Sequence, residues 1–394
     1  MNPATLRPRW RHHCLPAAGA ALLAAALPAH ATNGTMPHGY GIKAQGMGGA
    51  SIALPQDALA AANNPAGMAF VGNRLDLGLA VVLPKPASTF GNTDFDGDGV
   101  KAIPIPEFGY NRVLDERQSV GVSVYGNGVT TQYDTSILGG PGSANDAAKL
   151  MQVIVAPTYA LRLGPGQAVG VSLDLAYQRF RVSGVPDGLG QEGQGNESST
   201  GAGFKLGWTG QVSDQLTLGA MYAARMRMGK LKAYRNLLAH SGEFDVPERY
   251  GVGVAWRPRD GIVIAADLMR VNWGDIDSLA NALTAPQPGF GWRSQTISRI
   301  GASWQATPAL TLRTGYSHGT QIVGKESTTL DYLAPVTPQD HATLGATWAM
   351  DASHELSLVY TRVFGEEVRG SGPSAGVNVR MSQQWLGAAW AWKW

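Results

Sequence analysis

From Arg74 onward, apolar and polar residues alternate with a period of two, the pattern of strands that bury one face in an apolar medium. The first run is Leu75, Leu77, Leu79, Val81 and Leu83, interleaved with Asp76, Gly78, Ala80 and Val82. A second covers Ile103–Arg112, with Phe108 and Tyr110 on one face, and a third carries Val120, Val122 and Val124. Val153/Val155/Tyr159/Leu161, Val169/Val171/Leu173/Leu175/Tyr177, Phe204/Leu206/Trp208 and Leu216/Leu218/Ala220/Tyr222 follow. Next come Tyr250/Val252/Val254/Trp256, Ile262/Ile264/Ala266/Leu268, Ile300/Ala302/Trp304 and Leu310/Leu312/Tyr316. Leu344/Ala346/Trp348, Leu356/Leu358/Tyr360 and Trp390/Trp392/Trp394 close the series, which makes fourteen candidate strands.

The connections sharpen this reading. Tight turns at Val113–Arg117, Gly164-Pro165-Gly166, Val212-Ser213-Asp214, Pro258-Arg259-Asp260, Ala306-Thr307-Pro308 and Asp351-Ala352-Ser353 alternate with long Gly/Pro/Asn-rich stretches such as Pro84–Ala102 and Val129–Leu150. Short periplasmic turns, long extracellular loops and an even strand number are what a single-chain outer-membrane barrel requires. Trp390, Trp392 and Trp394 share one face of the last strand. In water that face would be an aggregation hazard, whereas at a membrane interface it belongs to an aromatic girdle. Hairpins also recur at a spacing that overlaps propeller repeats. A blade needs about four strands per repeat, however, and each repeat here offers two strands and a long loop. A soluble periplasmic β-protein is the competing architecture. No apolar run beyond the N-terminus reaches the roughly 18 residues of a helical span.

Residues 32–73 break the alternation. The stretch is rich in Gly and Ala, poor in charge, and ends in Asn64-Pro65-Ala66-Gly67-Met68. A compact non-strand segment before a long strand series reads as a plug, with the barrel over residues 74–394 around it. Residues 1–31 read as a cleaved secretory signal. Arg7, Arg9 and Arg11 form its positive region, Ala17–Leu27 its apolar region, and Ala29-His30-Ala31 its cleavage site. Cys14, the only cysteine, would leave with it, so no disulfide or thiolate chemistry is expected.

Composition removes other classes. Lys+Arg number 31 against 29 Asp+Glu, so no strong field calls for nucleic acid. The 51 Gly exceed the usual ~7% share and suit tight turns and close backbone contacts. Strand parity turns Arg162, Lys205, Arg225, Arg227, Arg249, Arg299 and Arg313 inward, with Asp76, Asp174 and Asp267 as partners. A charge on the lipid face near the midplane would cost ~2–4 kcal/mol. Such cations either pair within the lumen or bind a substrate carboxylate, which Arg grips bidentately. Arg225 and Arg227 are taken as candidate substrate ligands. So is an apolar face formed by Leu231, Tyr234, Leu237 and Leu238 on a short helix in the loop Gly229–Glu248, beside Lys230, Lys232 and Arg235. Asp94-Phe95-Asp96-Gly97-Asp98-Gly99 resembles the start of a Ca²⁺ loop, but Ile105 stands where a bidentate Glu is needed. The eight His show no ligand spacing and no Gly-x-Ser-x-Gly elbow occurs. No metal, cofactor or enzymatic activity is expected.

The stretches HGYG (His38–Gly41), KAQGMGGA (Lys43–Ala50) and NPAGM (Asn64–Met68) resemble the N-terminal hatch of the FadL family. These outer-membrane transporters carry long-chain fatty acids and other hydrophobic compounds, and include TodX-like aromatic-hydrocarbon members. The resemblance implies an all-β, 14-stranded antiparallel transmembrane barrel with the hatch inside its lumen. It implies that Asn64, Pro65 and Ala66 form a gate beside an inward kink of the third strand. Here that kink matches Tyr125, Gly126, Asn127 and Gly128, whose two glycines permit a bend. Hydrophobic molecules, fatty acids by default and hydrocarbons as the alternative, would leave sideways through it. Outer-membrane lipids and the barrel-assembly machinery are the implied partners of a monomer. The loop Arg181–Ser199 departs from the fatty-acid members in lacking an apolar helix. A general porin or structural barrel is the other reading; liposome swelling with small sugars separates it from a plugged barrel.

Overall fold

The computed structural model describes residues 33–139, 144–184 and 195–394, so the signal-peptide reading lies outside the described residues. Fourteen long strands follow in chain order: β1 Arg74–Phe90, β2 Ile103–Val113, β3 Gln118–Gln132, β4 Ala147–Gly164 and β5 Gln167–Ser183. Then come β6 Glu197–Gln211, β7 Leu216–Ala223, β8 Arg249–Arg259, β9 Ile262–Val271 and β10 Gln295–Thr307. The set ends with β11 Leu310–Gly319, β12 Asp340–Ala349, β13 His354–Arg369 and β14 Val377–Lys393. Each pairs antiparallel with its sequence neighbours, and β14 returns to β1 from Arg74↔Lys393 to Phe90↔Val377, closing a barrel. One closed sheet excludes the propeller. No helix among the described residues is long and apolar enough to cross a membrane.

The predicted faces hold. Leu77, Leu79, Val171, Leu173, Leu175, Leu206, Val252, Leu268, Ile300, Leu344, Leu358 and Leu386 all point outward and are exposed. Trp256, Trp304, Trp348, Trp392 and Trp394 ring the short-turn end of this band, and Tyr177, Tyr222, Tyr250, Tyr316 and Tyr360 ring the other. Two aromatic girdles around an apolar belt mark both membrane interfaces. The short turns are built locally. Asp115 Oδ1 accepts from the N–H groups of Arg117 and Gln118 at 2.8 Å, and Asp351 Oδ1 does the same for Ser353 and His354.

The strands run further at the long-loop end than alternation indicates. β1 continues from Leu83 to Phe90, and β13 from Tyr360 to Arg369. Past the membrane the outward positions turn polar, as at Lys85 and Thr89, so the hydrophobic period stops while ladder hydrogen bonds continue. The last long connection shrinks to residues 370–376. An epitope inserted at Ser371 is expected to bind antibody on intact cells, and one at Pro165 only after permeabilisation. The reverse pattern would invert the orientation.

Candidate functional site

The N-terminal segment Asn33–Gly72 holds two single-turn helices, α1 Ile42–Gln45 and α2 Ala60–Asn63, and a 3₁₀ turn Pro65–Ala69. It packs against inward positions of the wall, and nearly every residue from Asn33 to Ala69 is buried. Small residues on both sides permit this. A Cβ on Gly301 would lie 2.3 Å from Met47 O, and one on Gly219 2.4 Å from Ile52 O. Wall glycines are therefore close-approach positions, in line with the close backbone contacts that the glycine-rich composition suggests.

Inward charges fasten the segment, as parity predicted. Lys43 and Arg74 both pair with Glu355, and Arg74 also grips Asp76 at 2.6 Å. Asp76 Oδ2 accepts from Ala58 N at 2.9 Å, and Asp267 Oδ2 from Ser51 N and Ile52 N at 2.7 and 3.1 Å. Arg162 Nη2 donates to Ala69 O at 2.6 Å, and Arg313 Nε to Gln56 Oε1 at 2.9 Å. Breaking a buried pair leaves an uncompensated charge, at about 3–5 kcal/mol. Glu355→Gln, which takes the ion pair from Lys43 and leaves Arg74 with Asp76 alone, is expected to lower the unfolding midpoint in heat-modifiability gels. An unchanged midpoint would show that the network does not hold the segment.

Asn64 caps the 3₁₀ turn, its Oδ1 accepting from Ala66 N at 3.1 Å, with Pro65 in the first turn position. Its Nδ2 donates to Ile52 O at 2.7 Å and Trp208 O at 3.0 Å. Pro65 and Ala66 lie on Gly170 and Gly207, where a Cβ would meet them at 2.4 and 2.8 Å. Asn64-Pro65-Ala66 thus makes a capped turn, set on β5 and β6. The contacts of Tyr125–Gly128 are with Thr35 and Tyr40 instead: Gly128 N–H donates to Thr35 O at 2.8 Å and Tyr40 OH to Asn127 Oδ1 at 2.7 Å. The proximity of NPA to the kink is corrected accordingly. HGYG reaches the bent part of the third strand, whereas NPAGM meets that strand only in its paired part, where a Cβ on Gly121 would lie 2.4 Å from Met68 Cε.

At that strand the wall divides. β2 and β3 pair from Val113↔Ser119 to Phe108↔Val124 and no further. Beyond this, Ile103–Glu107 pair with β1 alone, while Tyr125–Gln132 keep β4 as their only strand neighbour. Burial alternates along β3 up to Val124, then Tyr125 to Thr131 are buried at seven consecutive positions. The strand has bent into the lumen. Above the separation, Gln132 N donates to Gly97 O and Gly99 N to Gln132 O, which bounds it at the long-loop end. The stretch Asp94–Gly99, which resembles the start of a Ca²⁺ loop, serves here as structure. Thr93–Asp96 pairs with β1, and Asp98 bonds Lys101 at 2.8 Å.

Inside the bend, an apolar cluster runs from Met36, Tyr40 and Tyr125 through Met226, Met228 and Met269 to residues of the long loops, among them Tyr234, Trp273, Trp292 and Tyr332. Leu231, Tyr234, Leu237 and Leu238 belong to it and are buried, although the predicted loop helix is only a 3₁₀ turn at Lys232–Tyr234. In the same loop region, burial pushes the Asp331 carboxyl well above the usual carboxylate range, with Trp292 Nε1–H donating to it at 2.8 Å. Arg225 and Arg227 do not face the lumen as predicted. β7 ends at Ala223, and the chain beyond it buries Met226 and Met228. Arg225 is held by Glu243 and by Asp245 at 2.7 Å, and Arg227 is exposed.

Two other predicted inward cations stand differently. Arg249 and Arg299 are buried beside a cavity of about 20 Å³ that Met36, Tyr40, Met221 and Met269 also line. That is room for about one water. Arg249 reaches Ala62 O at 3.3 Å and lies 5.5 Å over the Tyr40 ring; Arg299 reaches Gly49 O at 3.4 Å, and its Nε has no partner. Among the described residues neither has a carboxylate within ion-pair distance, whereas nearby Lys205 has Asp174 at 3.2 Å.

The family model described as outer membrane protein transport protein (OMPP1/FadL/TodX) matches residues 24–391. The fold is similar to the Pseudomonas putida toluene transporter TodX (20% identity, 90% of this chain and 98% of that one, TM-score 0.69). It is similar to the Ralstonia pickettii toluene transporter TbuX (18%, 91% and 99%, 0.66) and to a Pseudomonas aeruginosa FadL homologue (15%, 94% and 100%, 0.66). No curated protein sequence matches the chain.

Proposed function

The chain belongs to the OMPP1/FadL/TodX family of outer-membrane transport proteins, and on that premise we propose that it takes up long-chain fatty acids by a lateral route through its wall. The N-terminal segment acts as a hatch. The observation that carries the reading is the separation of β2 from β3 at Tyr125–Gln132, backed on its inner side by a continuous apolar cluster. A hydrophobic molecule gains nothing from an aqueous pore, since each CH₂ left in water costs ~0.8 kcal/mol. It gains from an apolar passage that ends in lipid. The cavity beside Tyr40 is too small for an acyl chain, so Met36–Tyr40 must shift before the route opens. Because Tyr40 and Thr35 bond Asn127 and Gly128 directly, that shift would free the bent strand as well.

The acid is favoured over neutral hydrocarbons by Arg249 and Arg299, two buried guanidinium groups set among methionines that adapt to an irregular chain. Neither has a carboxylate within ion-pair distance among the described residues, although Asp267 stands opposite Arg299 in the ladder. A neutral aromatic cargo remains the second reading, supported by the Tyr40–Tyr125 ring contact at 4.4 Å along the same route. The test of the route is to fill the separation at Gly126 and Gly128. Uptake should be lost from a barrel that still assembles.

A further inference from the structure

Three basic side chains crowd the outer wall where β4 and β5 leave the membrane. Arg179 and Arg181 continue the outward face of Val171, Leu173, Leu175 and Tyr177, and Lys149 continues that of Val153 and Val155. The register sets Lys149 directly opposite Arg181, and Met151 opposite Arg179. Opposed positions in an antiparallel pair hold Cβ atoms about 4.5–5.5 Å apart, and like charges there are destabilising. Among the described residues no carboxylate lies within ion-pair distance of Lys149, Arg179 or Arg181, and Arg181 Nε is buried without a partner. Glu197, on the neighbouring strand beside Phe180, is committed to the backbone N–H groups of Lys232 and Ala233 at 2.8 Å.

The position says what could compensate the charge. Tyr177 lies two residues before Arg179 on the same face, so the cluster sits just beyond the aromatic girdle, at headgroup depth. With the long connections at the cell surface, that depth is the outer leaflet. We propose that Lys149, Arg179 and Arg181 form a binding site for the phosphoryl groups of a phosphorylated glycolipid of that leaflet, its acyl chains lying on Val153, Val155, Leu175 and Tyr177. Two guanidinium forks suit phosphate oxygens bidentately and a lysine adds a point charge. Lys149 is also opposite Thr130 of β3, so the bound headgroup stands beside the divided wall. The site requires the outer-membrane location and the stated orientation, but not the lateral route.

The test uses the full chain purified in mild detergent, titrated with bis-phosphorylated lipid A and read by native mass spectrometry. Wild type should bind lipid A, and the triple variant Lys149→Gln/Arg179→Gln/Arg181→Gln should bind at least about tenfold more weakly. Binding to wild type should also fall steeply with added salt, as expected for exposed charges, and this arm needs no variant. Chemically dephosphorylated lipid A should not compete. Equal binding by the triple variant, salt-independent binding, or full competition by the dephosphorylated lipid would each overturn the proposal. Inorganic phosphate displacing lipid A at equal concentration would assign the site to a free anion and overturn the lipid assignment.

Discussion

Replacing Gly126 and Gly128 together with valine is expected to leave an assembled, heat-modifiable barrel whose hydrophobic uptake has fallen at least about tenfold, an effect worth about 1.4 kcal/mol or more. Both glycines share the outward parity of Val120, Val122 and Val124, but lie where β3 has already left β2. A Cβ on Gly126 would meet Gln152 O at 3.4 Å and Ile105 Cγ2 at 3.6 Å, ordinary contacts, so position 126 has room for a side chain. Ile105 belongs to the end of β2 that pairs with β1 alone, so added bulk at 126 grows into the separation itself. β-branched residues also favour regular pleated geometry and oppose the bend. Uptake should be measured with labelled fatty acid in cells, alongside the gel assay. Full uptake through a correctly assembled double variant would refute the lateral route and leave passage through the hatch.

What was legible in the sequence followed from one physical fact. A strand in lipid must show apolar residues on every outward position, so Leu75–Leu83 or Leu356–Tyr360 announce themselves within a few residues. The signal ends where lipid ends. The upper part of β1 and the seven buried residues of β3 are paired backbone without a periodic side-chain code. Parity also fails once a strand ends. Extending β7 past Ala223 put Arg225 and Arg227 inside, whereas loop packing took Met226 and Met228 instead. Two buried methionines alternating with two arginines carried that alternative in plain view. The partners of the kink were unreadable for another reason. Thr35 and Tyr40 reach β3 only through tertiary placement of the N-terminal segment, whereas NPAGM shows its own turn chemistry and nothing of the strand it faces.

Removing the Arg249 and Arg299 guanidinium groups should separate acid from hydrocarbon. In Arg249→Gln/Arg299→Gln, fatty-acid affinity is expected to fall roughly ten- to a hundredfold, since a hydrogen bond to a charged group contributes ~1.5–3 kcal/mol. Binding of a neutral hydrocarbon of similar length should change little, because the lining by Met36, Tyr40, Met221 and Met269 is untouched. Stability gives the control. Arg249 and Arg299 do cap Ala62 O and Gly49 O, but at 3.3 and 3.4 Å, and neither has the ion pair that normally offsets burial of a charge. Glutamine can donate to the same carbonyls without that desolvation cost, so the unfolding midpoint should hold or rise. Both ligands are to be followed by titration of the purified protein, with gel midpoints measured in parallel. Loss of both ligands together with a lowered midpoint would make these arginines structural fasteners of the N-terminal segment. It would also remove the physical ground for preferring a carboxylate cargo.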